Sequence, residues 1–539
     1  MANLTTKSEW LKSIETSLTS VDYDYCQSSS ISVVPEGLKK WNEDAYIPRK
    51  VSIGPRFRGR REDLFLMEEV KLRCMLSLLN RADKSLEQCS DAVWELDKEV
   101  RECYLGDLKL ERHELAKIML VDGCFLLELL ISKGLDSQLP SRLFPPSPAA
   151  EVLKDDDVLS DLMLLENQIP FLVLHKLSQT LFPYVFEPDD SLPYSPREEQ
   201  RKTEERVKKM NNLALAVLGY SPDLQIPCVD APHILDLVHF FVNIKTCEST
   251  HRTEEQYVAL GNMDATQTQQ KQLKLEYCAQ RLLTAGVTIK VKLPEKQHVV
   301  PSTMLTMATF VLKILIRYIF SEILISIQRA NFHRLDLDQE MELKGLDFYF
   351  KFEKETLEIK QLHITKTTKA KWCNLIAWEH HKMYKYASRL APRYEDEDES
   401  QQNTSKIVSC GKFTWAALIF NDLICSADDV QLLKDKKIIV DNLKMSNQEL
   451  MEFFRKIALG IDHKVVDSST YIQMVDDINN YSRAFNIKRM LKSVITSIIY
   501  HREQVIRFMN HDYNFPATLV SVLAIVQTVY TVLAFYYHK

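Results

Sequence analysis

Glycine is scarce in this chain, at 12 of 539 residues, against a usual share of about 7%. That disfavours folds built on glycine-rich phosphate loops or on many tight hairpins. No G-x-x-x-x-G-K-[ST], G-x-G-x-x-G or G-x-S-x-G motif occurs, so three common routes to nucleotide or acyl chemistry are absent. The 11 cysteines are odd in number and contain no Cys-x-x-Cys pair, which suits neither a zinc ribbon nor a disulfide framework. Reduced, mostly buried thiols are expected. A formal charge of −6 supplies no basic field for nucleic acid. The start, "MANLTTKSEWLKSIETSL", lacks the apolar core of a secretory signal, so the bulk of the chain is expected to remain in the cytosol.

Metal and catalytic constellations are also missing. His380 and His381 in "WEHHK" are adjacent and cannot both face one metal from a regular helix, which requires i, i+4 spacing. Glu379 and His380 read as a polar helix face. "KDDD" at Lys154 to Asp157 fits a helix N-terminus, where carboxylates meet free N–H groups and the helix dipole. No cofactor and no metal is expected, and no motif names an enzyme.

What is present is helical periodicity. "REDLFLMEEVKLRCMLSLLNR" places Leu64, Met67, Val70, Leu72, Met75, Leu76 and Leu79 near one face, the pattern of an amphipathic helix. "LAKIMLVDGCFLLELLI" reads as a buried helix, and "DLMLLENQIPFLVLHKL" as another, stopped at Pro170. "LAVLGY", "HILDLVHFFVNI", "QRLLTAGV", "KFTWAALIFNDLI", "NQELMEFFRKIAL" and residues 487–508 continue the pattern. One segment departs from it: "LDFYFKFEKETLEIKQLHI" alternates around Glu353 to Thr356 and predicts a β-hairpin near 346–364. The expected fold is therefore mainly α, a large helical domain with a minor β-hairpin and a C-terminal transmembrane helix. Its divisions are a flexible tail (1–28), an N-terminal helical lobe (29–187), a charged linker (188–210), a C-terminal helical lobe (211–510) and a span (517–537). "YEDEDESQQNTS" (Tyr394 to Ser405) reads as an acidic tether.

The expected span, "ATLVSVLAIVQTVYTVLAFYY" (Ala517 to Tyr537), is 21 residues without a charge, enough to cross about 30 Å of hydrocarbon. Aromatic residues flank it. Lys488, Arg489, Lys492, Arg502 and Arg507 precede it, against His538 and Lys539 beyond, so the positive-inside rule puts the large domain in the cytoplasm. Membrane lipid is thus one expected partner. Ala517, Ser521, Ala524, Thr528 and Thr531 form a small-residue stripe with Gln527 beside it, a candidate face for association within the membrane. Met304 to Ile327 has the length of a span but is interrupted by Lys313, Arg317 and Glu322. At about 2.5–3.5 kcal/mol per central charge, it reads as a buried or surface-lying helix.

Polar residues inside apolar blocks are the remaining signal. Glu166, Asn167 and Gln168 interrupt one block, and Asp122 interrupts another. A buried polar group without a partner costs about 1–3 kcal/mol, so these four are expected to share a hydrogen-bond network that fixes how the segments pack. The alternative is an enzyme using buried carboxylates such as Glu166 and Asp122.

Several of these blocks, in their order, carry a resemblance. "SVVPEGLKKWNEDAYIPRKVSIGPRFRGRREDLFLMEEVKLRCMLSLLNR", "MLVDGCFLLELL", "DLMLLENQIPFLVLHKL" and "LLTAGVTIK", followed by "LEIKQLHITKTTKAKWCNLIAWE", resemble the plant domain-of-unknown-function-247 family, an uncharacterised family of plant membrane proteins. Two departures stand out. Arg56-Phe57 follow Gly54-Pro55 where the family commonly has an aromatic–histidine pair, and an apolar insert at 301–340 separates two blocks usually close together. The resemblance implies no established enzymatic activity. It implies membrane-associated recognition or signalling with a protein partner, since some members resemble pollen-side self-incompatibility determinants of grasses.

Overall fold

The computed structural model describes residues 29–135, 148–182, 196–220, 229–248, 274–292, 346–390, 411–461 and 469–484, together with Ala524 and Gln527. The chain is mainly helical. Its N-terminal half is organised around α5 (Arg112–Leu135), following α1 (Glu36–Asn42), α2 (Phe65–Ala82), α3 (Leu86–Trp94) and α4 (Asp97–Glu102). Every residue from Ile118 to Ile131 is buried, the mark of a helix enclosed on all sides. After α6 (Pro148–Val152) and α7 (Asp156–Asp161) come α8 (Phe171–Leu181), α9 (Pro196–Val217) and α10 (Ile234–Glu248). Helices α2, α3, α8 and α9 all pack on α5. Close approach of α8 needs Gly123, because a Cβ there would stand 2.5 Å from Leu177 Cδ1. The charged stretch 196–210 is helical and continuous with Val217 in α9.

A small sheet follows. Helix α11 (Ala279–Thr284) leads into β1 (Thr288–Lys292), and β2 (Phe350–Glu353) and β3 (Thr356–Lys360) form the expected hairpin. Its two-residue turn places Lys354 and Glu355 at φ 45° and 67°, the paired left-handed geometry that matches strand twist. The sequence reading carried helix through "QRLLTAGV", yet the helix ends at Thr284 and Gly286 turns the chain with φ 87°. β1 then pairs parallel with β3, Thr288 opposite Thr356 and Lys292 opposite Lys360. The stretches "TIKVK" and "TLEIK" are thus neighbouring strands. β4 (Leu362–Ile364) pairs parallel with β5 (Ile439–Asp441).

Helices α12 (Thr368–Leu390), α13 (Lys412–Leu423), α14 (Ala427–Asp435), α15 (Asn447–Ala458) and α16 (Ser469–Arg483) complete the described elements. Trp372, Phe348, Phe413, Phe420 and Phe454 make an aromatic cluster between the sheet and these helices. One hydrophobic core runs from Ile31 to Ile478.

Two further sequence expectations are corrected by this arrangement. Residues Leu162 to Pro170 are not helical: α7 ends at Asp161, and Pro170 precedes α8 instead of ending a helix. The polar side chains of the segment take over the hydrogen bonds that further helix would have made, as set out below. Helix α2 is also rotated from the expected phase. Lys71, Cys74, Met75 and Leu78 are its buried residues, while Leu72 and Leu76 are 53% and 60% exposed.

Among the described residues no helix is long and apolar enough to cross a membrane. The expected span at 517–537, with its stripe of Ala517, Ser521, Thr528 and Thr531, lies outside the described residues. Only Ala524 and Gln527 are described there, both helical and exposed. The tail 1–28, the insert 301–340 and the acidic tether likewise lie outside them.

Candidate functional site

The segment from Ser29 to Arg58 has little regular structure: α1, one short 3-10 turn at Glu43–Ala45, and otherwise irregular backbone. Its buried N–H and C=O groups still require partners, and side chains from distant elements supply them. Glu166 Oε1 accepts from Val34 N at 2.8 Å. The Asp161 carboxylate accepts from the backbone of Arg49, Lys50 and Val51, at 2.9, 2.7 and 2.9 Å. Asn167 Oδ1 accepts from Ile53 N at 2.7 Å, and its Nδ2 donates to Val51 O at 3.0 Å. Asp122 Oδ2 accepts from Gly54 N at 2.8 Å. The four singled-out residues Asp122, Glu166, Asn167 and Gln168 are all buried, and the first three grip one strap of backbone.

Gln168 works on its own segment. Its Nε2 donates to Leu162 O and Leu164 O at 2.7 and 2.9 Å, while Asn167 Nδ2 also donates to Asp161 O at 2.9 Å. These carbonyls belong to the end of α7 and the turn after it, where a helix leaves acceptors unfilled. Gly54 fits closely against the same turn: with φ +75°, an added Cβ would stand 2.5 Å from Gln168 O. Arg56 donates to Leu105 O at 2.7 Å and lies over the Tyr104 ring. Tyr104 donates its hydroxyl to Gln168 O at 2.9 Å.

Beneath the strap sits a buried charge cluster. Lys71 Nζ meets Ser52 O at 2.5 Å, Glu68 Oε1 at 2.6 Å and Asp122 Oδ1 at 2.7 Å. Two hydrogen-bond acceptors and the paired Asp122 carboxylate compensate the buried ammonium, which explains how a lysine occupies the buried face of α2. Burial raises the Asp122 pKa, opposed by Lys71 and Arg58. Burial likewise raises Asp161 to about 6, opposed by its backbone donors. A cleft of about 220 Å³ opens beside this cluster, with Arg58, Arg61, Phe65 and Glu68 among its walls.

The strap also reaches the C-terminal helices. Asn42 Nδ2 donates to Lys456 O at 2.7 Å, and Lys369 pairs with Asp44 at 2.8 Å. Asn374 donates to Ala45 O and accepts from Leu165 N, both at 2.8 Å. His233 Nε2 lies 3.0 Å from Ser30 O while its Nδ1 accepts from Asp236 N at 3.2 Å, the pattern of a neutral imidazole. Burial lowers its pKa to about 4.

Sequence reasoning missed Asp161, Lys71, Asn374 and His233, each of which sits in a pattern that reads as ordinary helix. It also placed Glu379 and His380 on a polar face, and both are buried. Glu379 caps α13 from a neighbouring helix, accepting from Phe413 N at 3.0 Å, Thr414 N at 2.8 Å and Thr414 Oγ1 at 2.6 Å. Burial acts to raise its pKa, but His239, and after it these donors, hold it below the ordinary value. Among the described residues no group of three or more His, Cys, Asp or Glu side chains is placed to hold a metal.

These observations describe a mainly helical protein whose most distinctive polar residues bind its own backbone. The chain belongs to the DUF247 family, described as plant proteins of unknown function, whose profile matches residues 31–529. It is similar to the UPF0481 protein At3g47200 of Arabidopsis thaliana, 26% identical over 462 residues, covering 85% of this chain and 78% of that protein. A second similar protein is UPF0481 protein At3g02645 of the same plant, 28% identical over 151 residues, or 27% of this chain and 26% of that one. No solved structure matches.

Proposed function

We propose that this protein is a membrane-anchored recognition protein that binds a protein partner through the outer face of α2. The observation that carries this reading is the exposure of Phe65 (54%), Leu66 (81%), Leu72 (53%) and Leu76 (60%) on one helix. Isolated exposed leucines need no explanation, but several together on one element are typical of contact surfaces. Phe65 also lines the cleft beside Arg58 and Glu68, which gives the surface a recess at one end. Anchoring rests on the uncharged stretch Ala517 to Tyr537, most of which lies inside the family match to residue 529. Self-incompatibility-like recognition is one form this activity would take, by analogy with the family resemblance.

The rival reading, catalysis by buried carboxylates, has less support. Glu166 accepts from Val34 N, and Asp122 is shared between Gly54 N and the Lys71 ammonium. A general acid or base must be within reach of substrate, and Asp122 has no exposed side-chain surface.

Site-specific photo-cross-linking tests the proposal in plant cells. A photoreactive residue at Leu72 or Leu76 of the full chain is expected to give a discrete protein adduct. One at Lys98, 85% exposed on α4, is expected to give none. Absence of adducts at both leucines, or the same adducts from Lys98, would overturn the assignment of α2.

A further inference from the structure

Cys278 and Cys425 lie far apart in the sequence, and the fold brings their turns together. Cys278 is the N-cap residue of α11. Cys425 stands directly before Ser426, the N-cap of α14. One carboxylate holds both turns: Asp429 Oδ1 accepts from Gln280 N at 2.8 Å, while its Oδ2 accepts from Cys425 N at 3.1 Å and Ser426 N at 2.9 Å. A second clamp lies alongside, with Asp422 Oδ2 accepting from Leu275 N at 2.9 Å. Asn479 of α16 fixes the same stretch from another side, through Glu276 N and Lys274 O, both at 3.0 Å. Cys425 Sγ donates to Asp422 O at 3.5 Å, and the two thiols are near enough for each to shift the other's pKa. Both are reduced in this structure, Cys278 buried and Cys425 exposed to solvent.

We propose that Cys278 and Cys425 are a reversible disulfide site, closed by a peroxide oxidant and opened by a thiol reductant. The chemistry balances with hydrogen peroxide. The Cys425 sulfur attacks one peroxide oxygen, the O–O bond breaks, and sulfenic acid forms with release of one water. The Cys278 sulfur then attacks the Cys425 sulfur, the S–O bond breaks, and the hydroxyl leaves as a second water with the Cys278 proton. The two thiols lose two electrons and two protons to the peroxide. One carboxylate already holds both turns, which keeps the two residues as neighbours before oxidation.

The site has a defined kinetic character. Burial pushes the Cys278 thiol up to about 11. Burial and Asp429 also raise Cys425, which its contact with Cys278 opposes. Thiolate is the reactive form, so the pair is slow to oxidise near neutral pH and resists casual oxidation. Between pH 7 and 8 the first step should accelerate about tenfold, as expected for a thiol titrating well above that range. Once closed, the bond ties α11, and with it the start of β1, to the turn between α13 and α14.

Peptide mapping of the native full chain tests this directly. The protein is treated with hydrogen peroxide, alkylated, and digested without reduction. The expected result is a peptide pair linked through Cys278 and Cys425, two hydrogens lighter than the reduced pair and released by dithiothreitol. In C278S the linked pair should vanish, and dimedone should label the Cys425 sulfenic acid. A complete reaction that joins Cys425 to a different cysteine, or that oxidises Cys425 while Cys278 stays alkylatable, would overturn the proposal.

Discussion

At the scale of single residues, buried polar side chains serve as partners for backbone that has no regular structure of its own. Asn167 shows the cost most plainly. Its amide serves Ile53 N, Val51 O and Asp161 O, so Asn167→Ala strands three buried groups at about 1–3 kcal/mol each. A loss of about 3 kcal/mol or more is expected in chemical denaturation. Asp122 grips Gly54, the next residue along the strap, and the double variant with Asp122→Ala should be non-additive by at least about 0.5 kcal/mol. Simple additivity would separate the two residues. His233 predicts a pH effect. Its pKa in the fold, about 4, lies below the ordinary 6.5, so the unfolded chain takes up the proton first. Its stabilising contribution is complete above about pH 6.5 and declines as the pH falls toward 4. Between pH 7 and pH 5 the stability gap between the wild type and His233→Gln should shrink by about 2 kcal/mol. A gap that does not change with pH would contradict a buried neutral imidazole.

At the scale of elements, α2 shows how one ion cluster sets the phase of a helix. Counting leucines puts Leu72 and Leu76 on the inner face. Lys71 turns that face over, because Ser52 O and Asp122 give its ammonium partners below the helix, with Glu68 beside it one turn earlier. Leu72→Asp combined with Leu76→Asp should therefore leave stability nearly unchanged, within about 0.5 kcal/mol for each surface change. Leu78→Ala, at a fully buried site, should cost about 2–5 kcal/mol. The opposite order in thermal denaturation would restore the leucine-counted phase. The same contrast explains what the sequence reveals about elements. The β2–β3 hairpin is legible because alternation and a turn lie within one short stretch. β1 is not, because its partner strand is distant in sequence and five residues carry too little pattern to outweigh the helix before them. The break at Leu162 is hidden for a related reason: apolar residues there satisfy a helical period, while Gln168 and Asn167 fold back onto the α7 carbonyls.

At the scale of the whole molecule, the strap Ser29 to Arg58 joins the helices around α5 to those of the C-terminal half, through Asn42, Asp44 and Ala45. Asp122 and Glu166 to Gln168 are visible in the sequence as polar interruptions, but the sequence does not show what they hold, since their partners lie far along the chain. Topology is a prediction at this scale. The sequons Asn3-Leu4-Thr5 and Asn403-Thr404-Ser405 acquire glycans only on the lumenal side. Expression in plant cells should give no glycosidase-sensitive mass shift, and a shift would place the large domain across the membrane from the cytosol. The most direct measurement on the account as a whole is hydrogen exchange of the full chain, wild type against Asn167→Ala. If these buried polar residues act by holding the strap, amide exchange should accelerate at Val51, Ile53 and Gly54 well before α5 and α8 lose protection. If those amides keep wild-type protection while overall stability falls, the strap is held by something else and the central claim fails.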